Sequence, residues 1–155
     1  MSEPDVRVDQ LNLVVDDMET TLAFYRRLGL TIDSPGEWPA GSGALHAEVG
    51  TPDGFRLEFD NVAMARIWHA GWRDQPGPGG RAVVGVALPS RDAVDAQYQE
   101  WTAAGCPGRQ PPYDAFWGAR YAVVEDPEGR HVGLMSPIDA DRRYVPDPSS
   151  PPGGS

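Results

Sequence analysis

Apolar and polar positions alternate from Val6 to Val15, which predicts a first strand. The spacing then becomes helical: Met18, Leu22, Tyr25 and Leu28 fall on one face with Phe24 beside them. Asp16-Asp17 supply acids at the N-terminal end of this helix, and Gly29 closes it. A short strand is predicted over Leu30-Thr31-Ile32-Asp33, followed by a loop from Ser34 to Gly43 that carries Trp38. Alternation resumes over Ala44–Gly50 and Phe55–Asp60, on either side of the turn sequence Thr51-Pro52-Asp53-Gly54. The order is β-α-β-β-β.

The same order recurs. Arg81–Leu88 is an almost continuously apolar strand. Ser90 caps a helix that runs to Ala104, with Val94, Tyr98 and Trp101 on one stripe and Gly105 after its end. Gly108–Pro112, interrupted by prolines, reads as an edge strand. An aromatic loop, Tyr113–Gly118, leads into strands Ala119–Glu125 and Arg130–Ser136. The stretch Thr51-Pro52-Asp53-Gly54-Phe55-Arg56-Leu57-Glu58-Phe59 returns 75 positions later as Asp126-Pro127-Glu128-Gly129-Arg130-His131-Val132-Gly133-Leu134. The expected architecture is therefore an α+β fold of two tandem βαβββ modules. Their strands form a cup-shaped mixed sheet with helices on the outer face. One domain spans 1–137: module one 6–60, connector 61–80 and module two 81–137. A flexible tail is expected over 138–155, rich in Pro, Ser and Asp. The connector begins apolar, with Val62, Met64, Ile67, Trp68 and Trp72, and ends in the flexible Gln75–Gly80.

Strand alternation assigns side chains to faces. Phe55, Leu57 and Phe59 face the helix of module one; Arg56, Glu58 and Asp60 face the concave side, as do Gln10, Asn12 and Val14. A four-residue turn adds Leu45, Ala47 and Val49 to the concave face. The module-two equivalents are Arg120, Ala122 and Val124, with Val83, Gly85, Ala87, His131, Gly133 and Met135. The predicted cup is lined by small and apolar residues around Glu58, Asp60 and Arg120, a composition suited to a ligand pocket.

Composition narrows the function. The chain has 155 residues and a formal charge of −10, with arginine as every Lys/Arg residue. That field repels nucleic acid and anionic membranes. No apolar run reaches the ~20 residues needed to span a bilayer. The acidic N-terminus does not read as a signal peptide, and one cysteine, Cys106, forms no internal disulfide. The expected location is the cytoplasm, with no nucleic-acid or membrane partner.

Two blocks carry a resemblance. They are Leu11-Asn12-Leu13-Val14-Val15-Asp16-Asp17 with Thr21-Leu22-Ala23-Phe24-Tyr25-Arg26-Arg27-Leu28-Gly29, and Tyr121-Ala122-Val123-Val124-Glu125-Asp126-Pro127-Glu128-Gly129 with the strand after it. Over about residues 6–137 the chain resembles the vicinal oxygen chelate superfamily of glyoxalase I, extradiol dioxygenases and bleomycin-resistance proteins. The resemblance implies a divalent metal held at positions matching Gln10, Glu58, Gly85 and Gly133. Two of these are glycines, and a catalytic metal generally takes about three protein ligands. His46 is expected to point toward the helix, His69 to lie in the connector, and His131 to stand two residues from the lost ligand.

No metal or other cofactor is therefore expected. The chain is closest in character to the metal-free antibiotic-binding branch, whose members are dimers that sequester a drug without chemistry. The expected function is sequestration of a small aromatic natural product by a homodimer. Candidate ligand-binding residues are Trp38, Leu45, Ala47, Glu58, Asp60, Trp68, Trp72, Phe116, Trp117, Arg120 and Met135, with no catalytic residue. The acids favour a cationic or hydroxyl-bearing ligand. The alternatives are a metal-independent enzyme that modifies a natural product with Glu58 as general base, and a divalent-metal lyase or dioxygenase of the same fold.

Overall fold

The computed structural model describes residues 6–27, 30–72, 82–125, 129–150 and 152. Its elements are β1 (Arg7–Val15), α1 (Met18–Arg27), β2 (Gly36–Glu37), β3 (Leu45–Gly50), β4 (Arg56–Asn61), α2 (Val62–Trp68), β5 (Ala82–Ala87), α3 (Arg91–Ala103), β6 (Gly108–Asp114), β7 (Arg120–Glu125) and β8 (His131–Met135). A single 3-10 turn, Ala140–Arg142, follows. The strands form one eight-stranded mixed sheet in the order β2-β3-β4-β1-β5-β8-β7-β6. Within each module the first and last strands pair in parallel, β1 with β4 and β5 with β8. The modules join inside one chain through the antiparallel pair β1–β5, with Gln10 opposite Gly85 and Asn12 opposite Val83.

Local chemistry sets the helix ends. The Asp17 carboxylate accepts the Thr20 amide and hydroxyl hydrogens at 3.0 and 2.8 Å. Ser90 Oγ accepts from the Ala93 amide at the start of α3, and Gly105, at φ +98°, leaves that helix in a conformation costly for other residues. Asn61 Oδ1 accepts both the Met64 and Leu45 amides, so one side chain caps α2 and ties it to β3.

Three layers follow. On the outer face α1 packs Met18 and Leu22 against Phe59, Ala47 and Ile32, and α3 packs Val94 against Val86, Ala122 and Leu134. On the opposite, concave face, α2 lays Met64, Ala65, Ile67 and Trp68 over Val14, Val83, Tyr121 and Val123. The first half of the predicted connector is thus a helix that fills part of the cup. Gln75–Gly80 and the Gly29 helix stop lie outside the described residues. No helix among the described residues is long and apolar enough to cross a membrane.

Leu30–Asp33 is not a strand. The Arg26 guanidinium binds the Ile32 carbonyl at 3.0 and 2.8 Å and that of Asp33 at 3.1 Å, so the acceptors a ladder would use are taken. The strand of this region is β2, with Gly36 opposite His46 and Glu37 opposite Leu45. Tyr113 and Asp114, predicted to be loop, extend the edge strand β6.

The hairpin register also differs, by one residue. Thr51 and Phe55 are themselves paired, the Thr51 amide donating to the Phe55 carbonyl at 2.7 Å. The loop is Pro52-Asp53-Gly54, with Gly54 at φ +90°, as a three-residue hairpin loop requires. Glu48 therefore stands opposite Glu58, and His46 opposite Asp60. Because side chains alternate, this slip exchanges every β3 side chain between faces. Leu45 and Ala47 pack under α1 rather than in the cup. Module two has the same offset, with Tyr121 opposite Met135 and Glu125 opposite His131. Arg120 is consequently turned outward, where its guanidinium meets Asp95 at 2.8 Å and Asp114 at 3.2 Å.

The segment after 137, expected to be a flexible tail, is held as far as Tyr144. The Asp139 amide donates to the Gly118 carbonyl, the Tyr144 amide to the Phe116 carbonyl, and the Tyr144 hydroxyl to the Asp114 carbonyl.

Candidate ligand cavity and carboxylate cluster

Between β1, β3, β4 and the 116–117 loop lies an open cavity of about 430 Å³. Its polar wall comes from module one: Gln10 and Asn12 of β1, His46 and Glu48 of β3, and Arg56, Glu58 and Asp60 of β4. Its apolar wall includes Phe116, Trp117, Tyr121 and Met135 of module two, with Met64 and Trp68 of α2, Trp38 beside β2, and Ile138 of the tail. Arg143 also lines the cavity.

Of the residues predicted to bind a ligand, Trp38, Glu58, Asp60, Trp68, Phe116, Trp117 and Met135 line this cavity. Leu45, Ala47 and Arg120 do not, for the register reason above. Trp72 is half-buried against the α2 cluster, away from the cavity wall. Sequence reasoning missed His46, Glu48 and Tyr121; reading Pro-Asp-Gly as a three-residue loop would have placed the first two, and the same reading of Pro127-Glu128-Gly129 the third. It also missed Ile138 and Arg143, for which the tail composition offers no signal.

The aromatic wall is braced internally. Phe116 and Trp117 meet edge to face at 5.1 Å, Trp117 and Tyr121 at 5.2 Å. Trp117 Nε1 donates to the Met135 sulfur at 3.2 Å.

The polar wall is organised around Asp60, only 3% exposed. Its carboxylate accepts from Asn12 Nδ2 at 2.9 Å and Trp68 Nε1 at 3.0 Å, and it meets His46 Nδ1 at 2.6 Å. A carboxylate only accepts, so His46 Nδ1 carries its hydrogen and Nε2 faces the other acids. Nε2 lies 3.3 Å from Glu48 Oε2 and 3.9 Å from Glu58 Oε1.

Burial pulls the His46 pKa down, but hydrogen bonds to Asp60 and Glu48 and the neighbouring negative charges outweigh it and hold it at about 10. Burial pushes the Glu58 carboxyl up to about 8, and its hydrogen bond with Glu48 adds to the rise against the pull of His46 and Arg56. Glu48, bonded by His46 and Glu58, falls to about 2. Arg56 donates from Nη2 to Gln10 Oε1 at 2.9 Å, while its Nη1 stays 3.8–3.9 Å from both glutamates. One acceptor is left over: the buried Asn12 Oδ1 has no hydrogen-bond partner among the described residues.

The four positions at which the resemblance implies a metal do not fit one. A Cβ on Gly85 would stand 2.7 Å from the Gln10 Cβ, and one on Gly133 would stand 2.5 Å from the Tyr121 hydroxyl oxygen. Gln10 and Tyr121 fill the space that ligand side chains from β5 and β8 would need.

Two βαβββ modules paired in one sheet, with a cavity on its concave face, define a class of internally duplicated cup folds. The family model of the Glyoxalase/Bleomycin resistance protein/Dioxygenase superfamily matches residues 7–133, and the chain belongs to that superfamily. An uncharacterized protein of Mycobacterium tuberculosis is 30% identical over 127 residues, 82% of this chain and 72% of that protein. Among solved structures, a hypothetical protein of Bacillus halodurans aligns with a TM-score of 0.59 at 15% identity, covering 86% of this chain and 96% of the other. Methylmalonyl-CoA epimerase of M. tuberculosis aligns with a TM-score of 0.56 at 15% identity, covering 90% and 93%. At that identity the likeness is one of fold.

Proposed function

We propose that this protein binds a small molecule with a flat aromatic body and a hydrogen-bonding or cationic head, stoichiometrically and without converting it. The observation that carries the reading is the division of the cavity. Trp38, Phe116 and Trp117 offer flat faces on one wall, while Asn12, Glu48, Glu58 and Asp60 gather acceptors on the other. Each aromatic contact contributes on the order of 1 kcal/mol beyond area burial. A volume of about 430 Å³ lies within the ordinary range for ligand sites. Sequestration of an aromatic natural product by a homodimer, as in the antibiotic-binding members of the superfamily, is the biological form of this reading.

The test is tryptophan fluorescence of the chelator-treated protein titrated with aromatic antibiotics, followed by recovery of each compound. Saturable quenching at one compound per chain, with the compound recovered unchanged, is the expected result. A chemically altered compound would replace sequestration with acid–base chemistry at Glu58. No saturable quenching by any compound would refute the ligand reading.

A further inference from the structure

The slip that turned Leu45 and Ala47 away from the cup turned His46 and Glu48 into it. Both stand on β3, two residues apart, and Glu58 faces Glu48 from β4. One nitrogen and two carboxylate oxygens from these three side chains all lie within 4.8 Å of one another. From these residues we infer a divalent-cation site on the β3–β4 hairpin, displaced by one strand from the positions the superfamily resemblance implies.

The donor spacing is close to what such a site needs. Metal–ligand bonds of about 2.1 Å place neighbouring donors about 3.0 Å apart in an octahedron and about 3.4 Å apart in a tetrahedron. His46 Nε2 is 3.3 Å from Glu48 Oε2 and 3.9 Å from Glu58 Oε1, and all three donors lie within 4.8 Å of one another, so closing onto an ion takes shifts of up to about 1 Å, within reach of side-chain rotation.

Support behind the ligands is already built. A ligating histidine characteristically donates its other ring hydrogen to a carboxylate, which fixes the tautomer and aims the free nitrogen. Asp60 does this for His46 at 2.6 Å, and it is held in turn by Asn12 and by the Trp68 indole. The second, independent sign is Asn12 Oδ1. It belongs to a side chain on the same cavity wall, 6% exposed, directly across the ladder from Glu58, and it lacks a partner among the described residues. An ion or an ion-bound water is the kind of group such an acceptor takes.

One nitrogen and two carboxylates suit a first-row divalent ion of borderline character, such as Zn²⁺, Mn²⁺ or Co²⁺. The ion takes the place of the proton on His46 Nε2, which is released to solvent, and it competes with Arg56, whose Nη2 bond to Gln10 keeps Nη1 at salt-bridge margin from both glutamates. All three side chains line the cavity.

The experiment uses the full chain, stripped with chelator and free of organic ligand, so its outcome does not depend on the aromatic-ligand reading. Zn²⁺, Mn²⁺ and Co²⁺ are titrated by calorimetry, stoichiometry is read by native mass spectrometry, and Co²⁺ is followed by visible absorption. The expected result is one ion per chain. Glu48→Gln, at a half-exposed position that the fold tolerates, should weaken binding at least tenfold, as should His46→Gln. His69→Gln, outside the triad, should leave it unchanged. The site is refuted if no ion binds stoichiometrically, or if binding survives Glu48→Gln intact.

Discussion

Glu48 and Glu58 face each other across the β3–β4 ladder on the concave side of the sheet, joined by a hydrogen bond between their carboxyl groups. Two like charges directly opposite would repel, so in the ion-free protein one of them holds a proton, and burial assigns it to Glu58. A neutral amide is therefore a fair substitute at that position. Glu58→Gln should raise the unfolding free energy at pH 7, because folding no longer has to place a proton on a carboxyl that is ionised in the unfolded chain, measured by urea denaturation in chelator. A loss of about 3 kcal/mol would instead mean that Glu58 is a buried anion paired with Arg56.

Asp60 is the most heavily bonded side chain of the cavity, and one of its donors comes from a helix that alternation could not anticipate. Trp68→Phe deletes the indole hydrogen while keeping much of the ring. It leaves a buried carboxylate one donor short and a small void beside Tyr121, at a cost of about 2–4 kcal/mol. Trp38→Phe, at a position 43% exposed, serves as the comparison and should stay within about 0.5 kcal/mol. Equal effects from the two variants would show that the indole bond to Asp60 contributes nothing.

The module order, the duplication and the outer helices were legible in the sequence, because alternation, helical spacing and the repeated Pro-acid-Gly turn all point the same way. The site was half legible. Glu58 and Asp60 follow from alternation within β4 alone, and Phe116 and Trp117 from the aromatic loop. His46, Glu48 and Tyr121 depend on pairing between strands, where a single residue in the loop decides the face. The same slip explains why Arg120, an apparent cavity cation, is an outer ion-pair partner of Asp95 and Asp114. Helix α2 was obscured for another reason. Its seven residues give too few turns for a periodic stripe, and its start is marked only by the Asn61 cap. Ile138 and Arg143 reach the cavity because the tail is held to residues 114–118 by bonds that end on backbone carbonyls, which leave no complementary side-chain pattern in the sequence.

Gly133 permits the ring of Tyr121 to lie over β8. Gly133→Ala would place a methyl 2.5 Å from the Tyr121 oxygen and about 3 Å from two ring carbons. The expected destabilisation is about 1–3 kcal/mol. Adding Tyr121→Phe removes the worst contact, so the double variant should recover at least about 0.5 kcal/mol relative to the sum of the singles. Strict additivity would mean that the strain is relieved by backbone movement rather than borne by the tyrosine.

His69 supplies a pH dependence well away from the carboxylate cluster. It is 1% exposed, its Nδ1 accepts the Gly71 amide hydrogen at 3.1 Å, and its Nε2 meets His131 Nδ1 at 3.0 Å. With Nδ1 accepting, Nε2 carries the hydrogen and donates to His131. The facing groups are His131 on β8, with its Nε2 3.8 Å from Glu125 on β7, and Arg109 on β6. Burial, with electrostatic contributions from the neighbouring His131 ring and the Arg109 guanidinium, depresses the His69 pKa from 6.5 to about 3. The unfolded chain thus binds a proton between pH 6.5 and 3 that the folded chain refuses. Stability from this residue is complete above pH 6.5 and lost as pH falls toward 3. Between pH 7 and 5 the loss is about 2 kcal/mol, and it should be absent from the same interval in His69→Gln. Urea midpoints of the two proteins across that range make the comparison, since other titrating groups contribute to both. Parallel curves would show that His69 protonates in place and that its burial does not exclude the charge.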